Sequence, residues 1–288
     1  MTTLLNIAIL GTIWGAVYSL ISVGFTLIFG VAGIINLSHG AFYMLGAYLA
    51  YTFITVLKIN VVLSAVMAVV IVAVIGMIID RFGIRRMRDR HAYVLILTLA
   101  ISFFFQELIY GIFGSYGKSV ESFMVGEIVL GGVNISYQKL LTLFIGAILV
   151  ILLWLFIKKT RTGKSISAVS QNKDAALLVG IQYERVYLMT MGISAGLAAV
   201  AGVFIAPILE AVPTMWSFPL FKAFAIVIIG GLGSLGGAII ASLLLGYSET
   251  AVSMLFSANY SDMVYLVAII LVLIFRPNGL IGKKVSRA

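Results

Sequence analysis

Three features of this chain predict an all-α polytopic membrane protein of about eight transmembrane helices. First, 62% of its 288 residues are hydrophobic and only 10% are charged; soluble domains carry about 45–50% apolar and about 25% charged residues. Second, mean hydropathy is +1.17. Third, the apolar residues fall in stretches near the roughly 20 residues that a helix needs to cross a bilayer core of about 30 Å. This composition excludes a soluble enzyme and a disordered chain. The net charge of +9 does not indicate a nucleic-acid binder, because nearly all the basic residues lie between the apolar stretches. With no cysteine there are no disulfides, thiolate metal sites or thiol nucleophiles. Met1-Thr2-Thr3 places no basic residue ahead of the first apolar run, so no cleavable signal peptide is expected.

The elements follow in order. From Met1 to Leu57 there is no Asp, Glu, Lys or Arg. That is too long for one span, so a break is expected between Gly30 and Gly40, in GVAGIINLSHG. Further spans are predicted at 61–79, 92–113, 138–157, 186–206, 214–231, 234–256 and 259–275. Lys and Arg in short loops mark the cytoplasmic side. Segment 81–90 holds Arg81, Arg85, Arg86, Arg88 and Arg90, and segment 158–185 holds Lys158, Lys159, Arg161, Lys164, Lys173 and Arg185. The tail adds Arg276, Lys283, Lys284 and Arg287, which makes fifteen of the 19 basic residues, so a cytoplasmic C-terminus is expected. Loops 114–137 and 207–219 carry Glu121, Glu127 and Glu210 against Lys118 and are placed outside. Counting every apolar stretch gives nine crossings and an outside N-terminus. A re-entrant glycine-rich stretch would give eight and the opposite N-terminal side.

Small residues four apart (Gly11 with Gly15, Gly192 with Gly196, Gly233 with Gly237) let helices approach closely in lipid. They serve general bundle packing or a subunit interface. Three chemical motifs fail on context. Gly231-Leu232-Gly233-Ser234-Leu235-Gly236 matches a dinucleotide fingerprint but lacks the alternating strand–helix setting. Gly192-Ile193-Ser194-Ala195-Gly196 matches a nucleophile elbow but lies inside a predicted helix. Gly117-Lys118-Ser119 and Gly163-Lys164-Ser165 have Ile112 and Lys158 where a phosphate loop needs its first glycine. If ATP drives this chain, another subunit binds it.

Two features survive the same test. The loop 158–185 contains AVSQNKDAALLVG at 168–180, a helix-favouring sequence ended by Gly180. Ala175, Ala176, Leu178 and Val179 form its small apolar face, suited to docking or to lying on anionic lipid. The other is the break Ile34-Ile35-Asn36-Leu37-Ser38-His39-Gly40. Non-helical backbone at membrane depth is tolerated where it is buried in protein or lines a water-filled path. Asn36 or Ser38 is expected to cap the following helix, whose free N–H groups suit a carboxylate. His39 is expected to bond solute or a neighbouring carbonyl; alternatively, Asn36 and His39 only satisfy backbone groups freed by the break. The turn at 230–237 resembles that break and hints at an internal repeat. Glu107, beside Gln106, and Glu249 are ionisable groups in or near spans. Arg276-Pro277 stops the last helix at the interface.

Asp174-Ala175-Ala176-Leu177-Leu178-Val179-Gly180 resembles the E-A-A-x-x-x-G motif of ABC importer permeases, with Asp in place of Glu. Four longer stretches, GFTLIFGVAGIINLSHGAFYMLGAY, AVSQNKDAALLVGIQYERVYLMTMGISAGLAAVAGV, IIGGLGSLGGAIIASLLLGYSE and IFRPNGLIG, are together similar to the LivH-type branch of the branched-chain amino-acid permeases. The similarity covers residues 10–282. It implies that Asp174, Ala175, Ala176 and Gly180 belong to a coupling helix that docks on an ATPase subunit. It further implies a paralogous partner permease, an extracytoplasmic solute-binding protein, and leucine, isoleucine, valine or a related small solute as cargo. Asn36, Ser38, His39 and Glu107 are the candidates for the solute pathway.

The expectation is therefore one transmembrane permease domain over 1–288, multi-pass in the cell membrane, with no nucleic-acid partner, no metal and no cofactor of its own. Two rivals remain. A channel for a small neutral solute such as urea would need no ATPase. A secondary transporter would need an ion site at mid-membrane, for which Glu107 and Glu249 make a poor pair. A membrane enzyme lacks a nucleophile, metal cluster or acid–base pair.

Overall fold

The computed structural model describes residues 2–281. Lys283, Lys284 and Arg287, on which part of the expected cytoplasmic tail rests, lie outside the described residues. The chain is a helical bundle, entered by α1 (Thr2–Ala32). At about 1.5 Å per residue α1 runs to about 46 Å, longer than the bilayer core. It stops where Gly33 takes φ +67° and caps the helix by bonding back to the Phe29 carbonyl. After the break, α2 (His39–Ala50) continues as a π-helical segment, Tyr51–Val56.

Helix α3 (Val61–Ile79) starts under the side chain of Asn60, which accepts from the amides of Val62 and Leu63. It passes through a π-helical turn, Asp80–Ile84, into the short α4 (Arg85–Met87). Then follow α5 (His91–Phe113), the hairpin β1 (Glu127–Leu130) with β2 (Val133–Ser136), and α6 (Tyr137–Lys159). The basic loop folds as α7 (Arg161–Gln171) and α8 (Lys173–Leu178). The chain continues as α9 (Tyr183–Ile205), α10 (Ser217–Gly230), α11 (Leu235–Leu255) and α12 (Met263–Phe275).

Six helices among the described residues are long and apolar enough to cross a membrane by length and composition. The expected count of about eight differs because α10 and α12 have only 14 and 13 residues, and α2 has 12 before its π-helical end. Periodicity shows that these segments are apolar but does not set their length. The expected span 259–275 is shortened because 258–260 form a 3₁₀ turn ahead of α12. The hairpin at 127–136 is a small addition to an otherwise all-α fold.

Burial sorts the helices into layers. The spans of α1 and α9 are 83% and 78% buried, whereas those of α3, α5 and α6 are 22% buried. Helices α1, α2 and α9 therefore form the centre, and the others turn apolar faces outward. Contacts also sort the ends. Lys118 and Ala211 exchange backbone hydrogen bonds of 2.9 and 3.0 Å, joining loops 114–126 and 206–216. Ile9, Leu10 and Ile13 of α1 pack against Val133 and Ile135 of the hairpin at that end. Basic segment 85–90 meets the start of α9 through Arg88 and Glu184.

Glycine lets the central helices touch backbone to backbone. A Cβ on Gly246 would fall 2.5 Å from the Gly15 amide nitrogen and 2.6 Å from the Gly11 carbonyl, where α11 crosses α1. Gly192 and Gly196 instead make room for side chains of α3, Met77 and Val69. The glycine pairs thus act within this chain's own bundle. A Gly246→Val variant should lose thermal stability in detergent by roughly 2 kcal/mol or more, since rigid backbone cannot yield to the added methyls. Gly236→Ala, which meets nothing within 4 Å, should melt with the wild type in the same assay.

Candidate functional site

The break between α1 and α2 is repaired by side chains together with a few backbone bonds, such as that of the His39 amide to the Asn36 carbonyl at 3.3 Å. Asn36 Oδ1 accepts from the Ser38 amide at 3.1 Å and from Ser38 Oγ at 2.6 Å, closing a local Asx turn. Asn36 Nδ2 reaches Met191 Sδ at 3.3 Å. The Leu37 amide donates to Thr98 Oγ1 at 3.1 Å, and Ser102 Oγ donates to the Leu37 carbonyl at 3.1 Å. Neither Asn36 nor Ser38 caps α2 as expected, because Ser38 already has helical backbone angles and makes no side-chain cap bond. His39 places Nε2 2.9 Å from the Ile21 carbonyl. A carbonyl only accepts, so Nε2 carries the proton, and Nδ1 lies 3.3 Å from Ser194 Oγ. Asn36, Ser38 and His39 are all fully buried.

The fold thus brings the serine of the rejected elbow motif to a histidine. Ser194 and His39 are both inaccessible, and Ser194 Oγ donates at 2.8 Å to the Gly24 carbonyl. The pair fastens α9 to α1 and α2. The fingerprint-like 231–236 segment also has another role. The run ahead of it is helix α10, not a strand, and Ser234 caps α11 by accepting from the Gly237 amide at 3.1 Å. This turn abuts the end of α1, where a Cβ on Gly30 would lie 3.1 Å from Gly233 Cα.

Sequence reading singled out Glu249 but missed Lys222 and the charged cluster that the two form beside a cavity. A cavity of about 460 Å³ lies among α1, α2, α10, α11 and the loop 209–215. Leu10, Trp14, Val17, Ile21, Met215 and Phe218 form much of its apolar wall. Lys222 and Glu249 line it together, with Lys222 Nζ 3.1 Å from Glu249 Oε2. Tyr18 donates to that same oxygen at 2.6 Å, and Lys222 reaches Tyr18 Oη at 3.1 Å. Asp262, just ahead of α12, pairs with Lys222 at 3.2 Å. Glu249 Oε1 is buried without a hydrogen-bond donor. The available signal was a lone lysine inside predicted span 214–231 and a lone glutamate inside 234–256; ionisable groups at such depth usually pair with one another. Glu107 sits elsewhere. It is exposed on α5, accepts from Gln106 Nε2 at 3.2 Å, and does not line this cavity.

The basic loop departs from the single helix expected over 168–180. Asn172 leaves helical geometry and caps α8 through a 2.9 Å bond from the Ala175 amide, so α7 and α8 meet at a corner. Gly180 takes φ +83° and ends the motif segment. Ala176 is buried, which removes it from the expected exposed face. Leu177, Leu178 and Val179 project instead, and Leu178 is 89% exposed. Asp174, Ala175 and Gly180 are also on the surface.

The chain leaves this loop into an ion-pair network. Arg88 pairs with Asp80 at 2.6 Å and Glu184 at 3.0 Å, and its guanidinium lies 4.1 Å from the Tyr187 ring centroid. Arg85 adds a 3.2 Å pair to Glu184. Asp80 and Arg88 are almost fully enclosed. Each therefore depends on the other, because an unpaired buried charge is strongly unfavourable.

Comparison with known proteins agrees with this architecture. The family model described as branched-chain amino acid transport system / permease component matches residues 7–273. The high-affinity branched-chain amino acid transport system permease protein BraD of Pseudomonas aeruginosa is 33% identical, with 93% of this chain and 92% of that protein covered. The permease protein LivH of Escherichia coli is 31% identical, with 95% and 94% covered. PsaBC from Streptococcus pneumoniae, solved in complex with Fab, shares the fold at a TM-score of 0.54 and 14% identity, covering 96% of this chain and 93% of that one. The chain therefore belongs to the permease-component family of branched-chain amino acid transport systems.

Proposed function

We propose that the chain is the membrane-spanning subunit of an ATP-driven importer that moves leucine, isoleucine, valine or a close relative by alternating access. ATP would be hydrolysed by separate ATPase subunits, since this chain carries no phosphate loop. A paralogous permease and an extracytoplasmic binding protein would complete the assembly. The observation that carries the reading is the corner of α7 and α8, which projects Leu177, Leu178 and Val179 beside a polar, cationic loop. Exposed leucines backed by a buried alanine favour a protein groove over water.

Sidedness follows from the basic loops. Segments 81–90 and 158–185 would face the cytoplasm, and the hairpin end would face outward. The packing of α1 against the hairpin supports an outside N-terminus; the shorter apolar helices α2, α10 and α12 would then cross with the six long ones, one pass more than the eight expected. Force applied at α8 would enter α9, whose first turn is held to segment 80–88 by Arg88 and Glu184. Two segments would then move as one body. Asn36, Ser38 and His39 would act at the pathway by holding the broken backbone of α1 and α2 in register, since all three are buried and bonded. A channel or an ion-coupled carrier would have no use for the projecting corner.

Leu178→Glu should lower ATP-dependent leucine uptake by the assembled transporter at least about tenfold, by placing a charge in an apolar contact. The variant chain should insert and purify at wild-type yield, because Leu178 touches little of its own bundle. Undiminished uptake would remove the coupling assignment. Arg88→Ala should cost roughly 3–5 kcal/mol of stability by stranding Asp80. The double variant Arg88→Met with Asp80→Leu should recover most of that loss in a thermal melt, yet still transport poorly if the network braces α9.

A further inference from the structure

The charged wall of the cavity is built in a way that the bundle alone does not require. Lys222 has three ammonium hydrogens and three partners, Glu249, Asp262 and Tyr18. It is therefore saturated. Glu249 is not, because its Oε1 is buried and accepts no hydrogen bond. Two of the partners of Lys222 are fixed: Tyr18 and Glu249 are buried on neighbouring helices and bonded to each other. Asp262 differs, being 57% exposed on the connection ahead of α12. Water can take over its hydration the moment it leaves Lys222.

We propose that this cavity reads the two ends of a free amino acid separately, with Asp262 holding the place of the solute's carboxylate. The solute's α-carboxylate displaces Asp262 and takes its charge-assisted bond from Lys222. The α-ammonium donates to the unbonded oxygen of Glu249, buried in the cavity's wall, which a turn of the carboxyl group brings to the cavity that this residue lines. The side chain of the solute lies against Trp14, Val17, Ile21, Met215 and Phe218. The proposal rests on the importer reading above and specifies its solute site.

Charge decides what is refused. Lys222 faces Glu249 and Asp262, and Glu210 is also on the wall. One cation among three carboxylates repels a plain carboxylate anion, which brings no ammonium to answer Glu249. An amine without a carboxylate satisfies Glu249 but leaves Asp262 on Lys222. Only a zwitterion completes both exchanges. The cavity volume of about 460 Å³ lies within the usual range for small-molecule sites, about 300–1,000 Å³.

The test is equilibrium binding to the full chain in nanodiscs, without nucleotide, using leucine, leucinamide (no carboxylate) and 4-methylpentanoate (no ammonium). Leucine should bind at least about tenfold tighter than either analogue, the difference expected from one charge-assisted hydrogen bond. Asp262→Asn should tighten leucine several-fold and leave leucinamide unchanged, because it removes a competitor for Lys222. Lys222→Met should erase the preference for leucine over leucinamide. Absence of leucine binding to the wild type, equal affinity for all three compounds, or an Asp262→Asn variant that binds leucine no better would each overturn the assignment. The Asp262 variant keeps the test decisive if Lys222→Met fails to fold. Failure of ATPase coupling leaves these measurements untouched. Conversely, normal ATP-driven uptake by Lys222→Met would remove the cavity while sparing the importer reading.

Discussion

Backbone groups inside a bilayer have no water to bond, and the rest of this structure follows from that constraint. An unbroken helix meets it automatically; a helix that stops at Ala32 and restarts at His39 does not. The six residues between them are served by Thr98 and Ser102 of α5, by the Asx turn of Asn36, and by the packing of Met191 from α9. Polar side chains on several helices are thus committed to one gap. Removing any one leaves a buried donor or acceptor unpaired, at a cost of about 1–3 kcal/mol. The break therefore holds α5 and α9 to itself through those bonds.

The second consequence concerns packing. Lipid tails are as apolar as leucine, so association within the membrane depends on close contact and interhelical hydrogen bonds. Gly11, Gly15 and Gly246 bring α1 and α11 together at backbone distance. That closeness sets Tyr18 beside Glu249, two residues that are 231 apart in sequence. The glycines and the charged cluster are one design. Without the close crossing, the tyrosine would not reach the carboxylate, and Glu249 would face the membrane with only Lys222 to answer it.

Much of this was legible from residue order. The helices at 61–79, 91–113, 137–159, 183–205 and 235–255 begin and end within a few residues of the apolar stretches, because uncharged runs bounded by arginine, lysine or glycine leave little freedom. The loop at 158–185 was visible as a helical, polar segment. Its corner was not. Asn172 favours an N-cap over a helix interior, but the helix-forming residues on either side of it masked that signal. The helix lengths of α10 and α12 were hidden for a similar reason, since a run of apolar residues does not say how many lie in the turns at its ends. Lys222 was overlooked because one lysine in a span does not disturb a hydropathy average. Its importance comes from Asp262 and Glu249, which only the fold brings near.

The break and the cavity share a residue, and this links the two ends of the molecule. Ile21 offers its side chain to the cavity wall while its carbonyl accepts from His39, the first residue of α2. Ser194, on the helix that leaves the basic loop, touches His39 and bonds Gly24. A shift of α9 along its axis would therefore pull on Gly24 and press on His39, which is bonded to the Ile21 carbonyl. Small residues line the buried face of α9, including Gly192, Ala195, Ala198, Ala199 and Gly202. The same helix also buries Tyr187, Met191, Leu197, Val200 and Ile205, so a displacement of α9 carries its packed neighbours with it. On the proposed reading, the helix joined to the ATPase-facing corner touches His39 through Ser194, and Ile21 would pass its movement from His39 to the cavity wall.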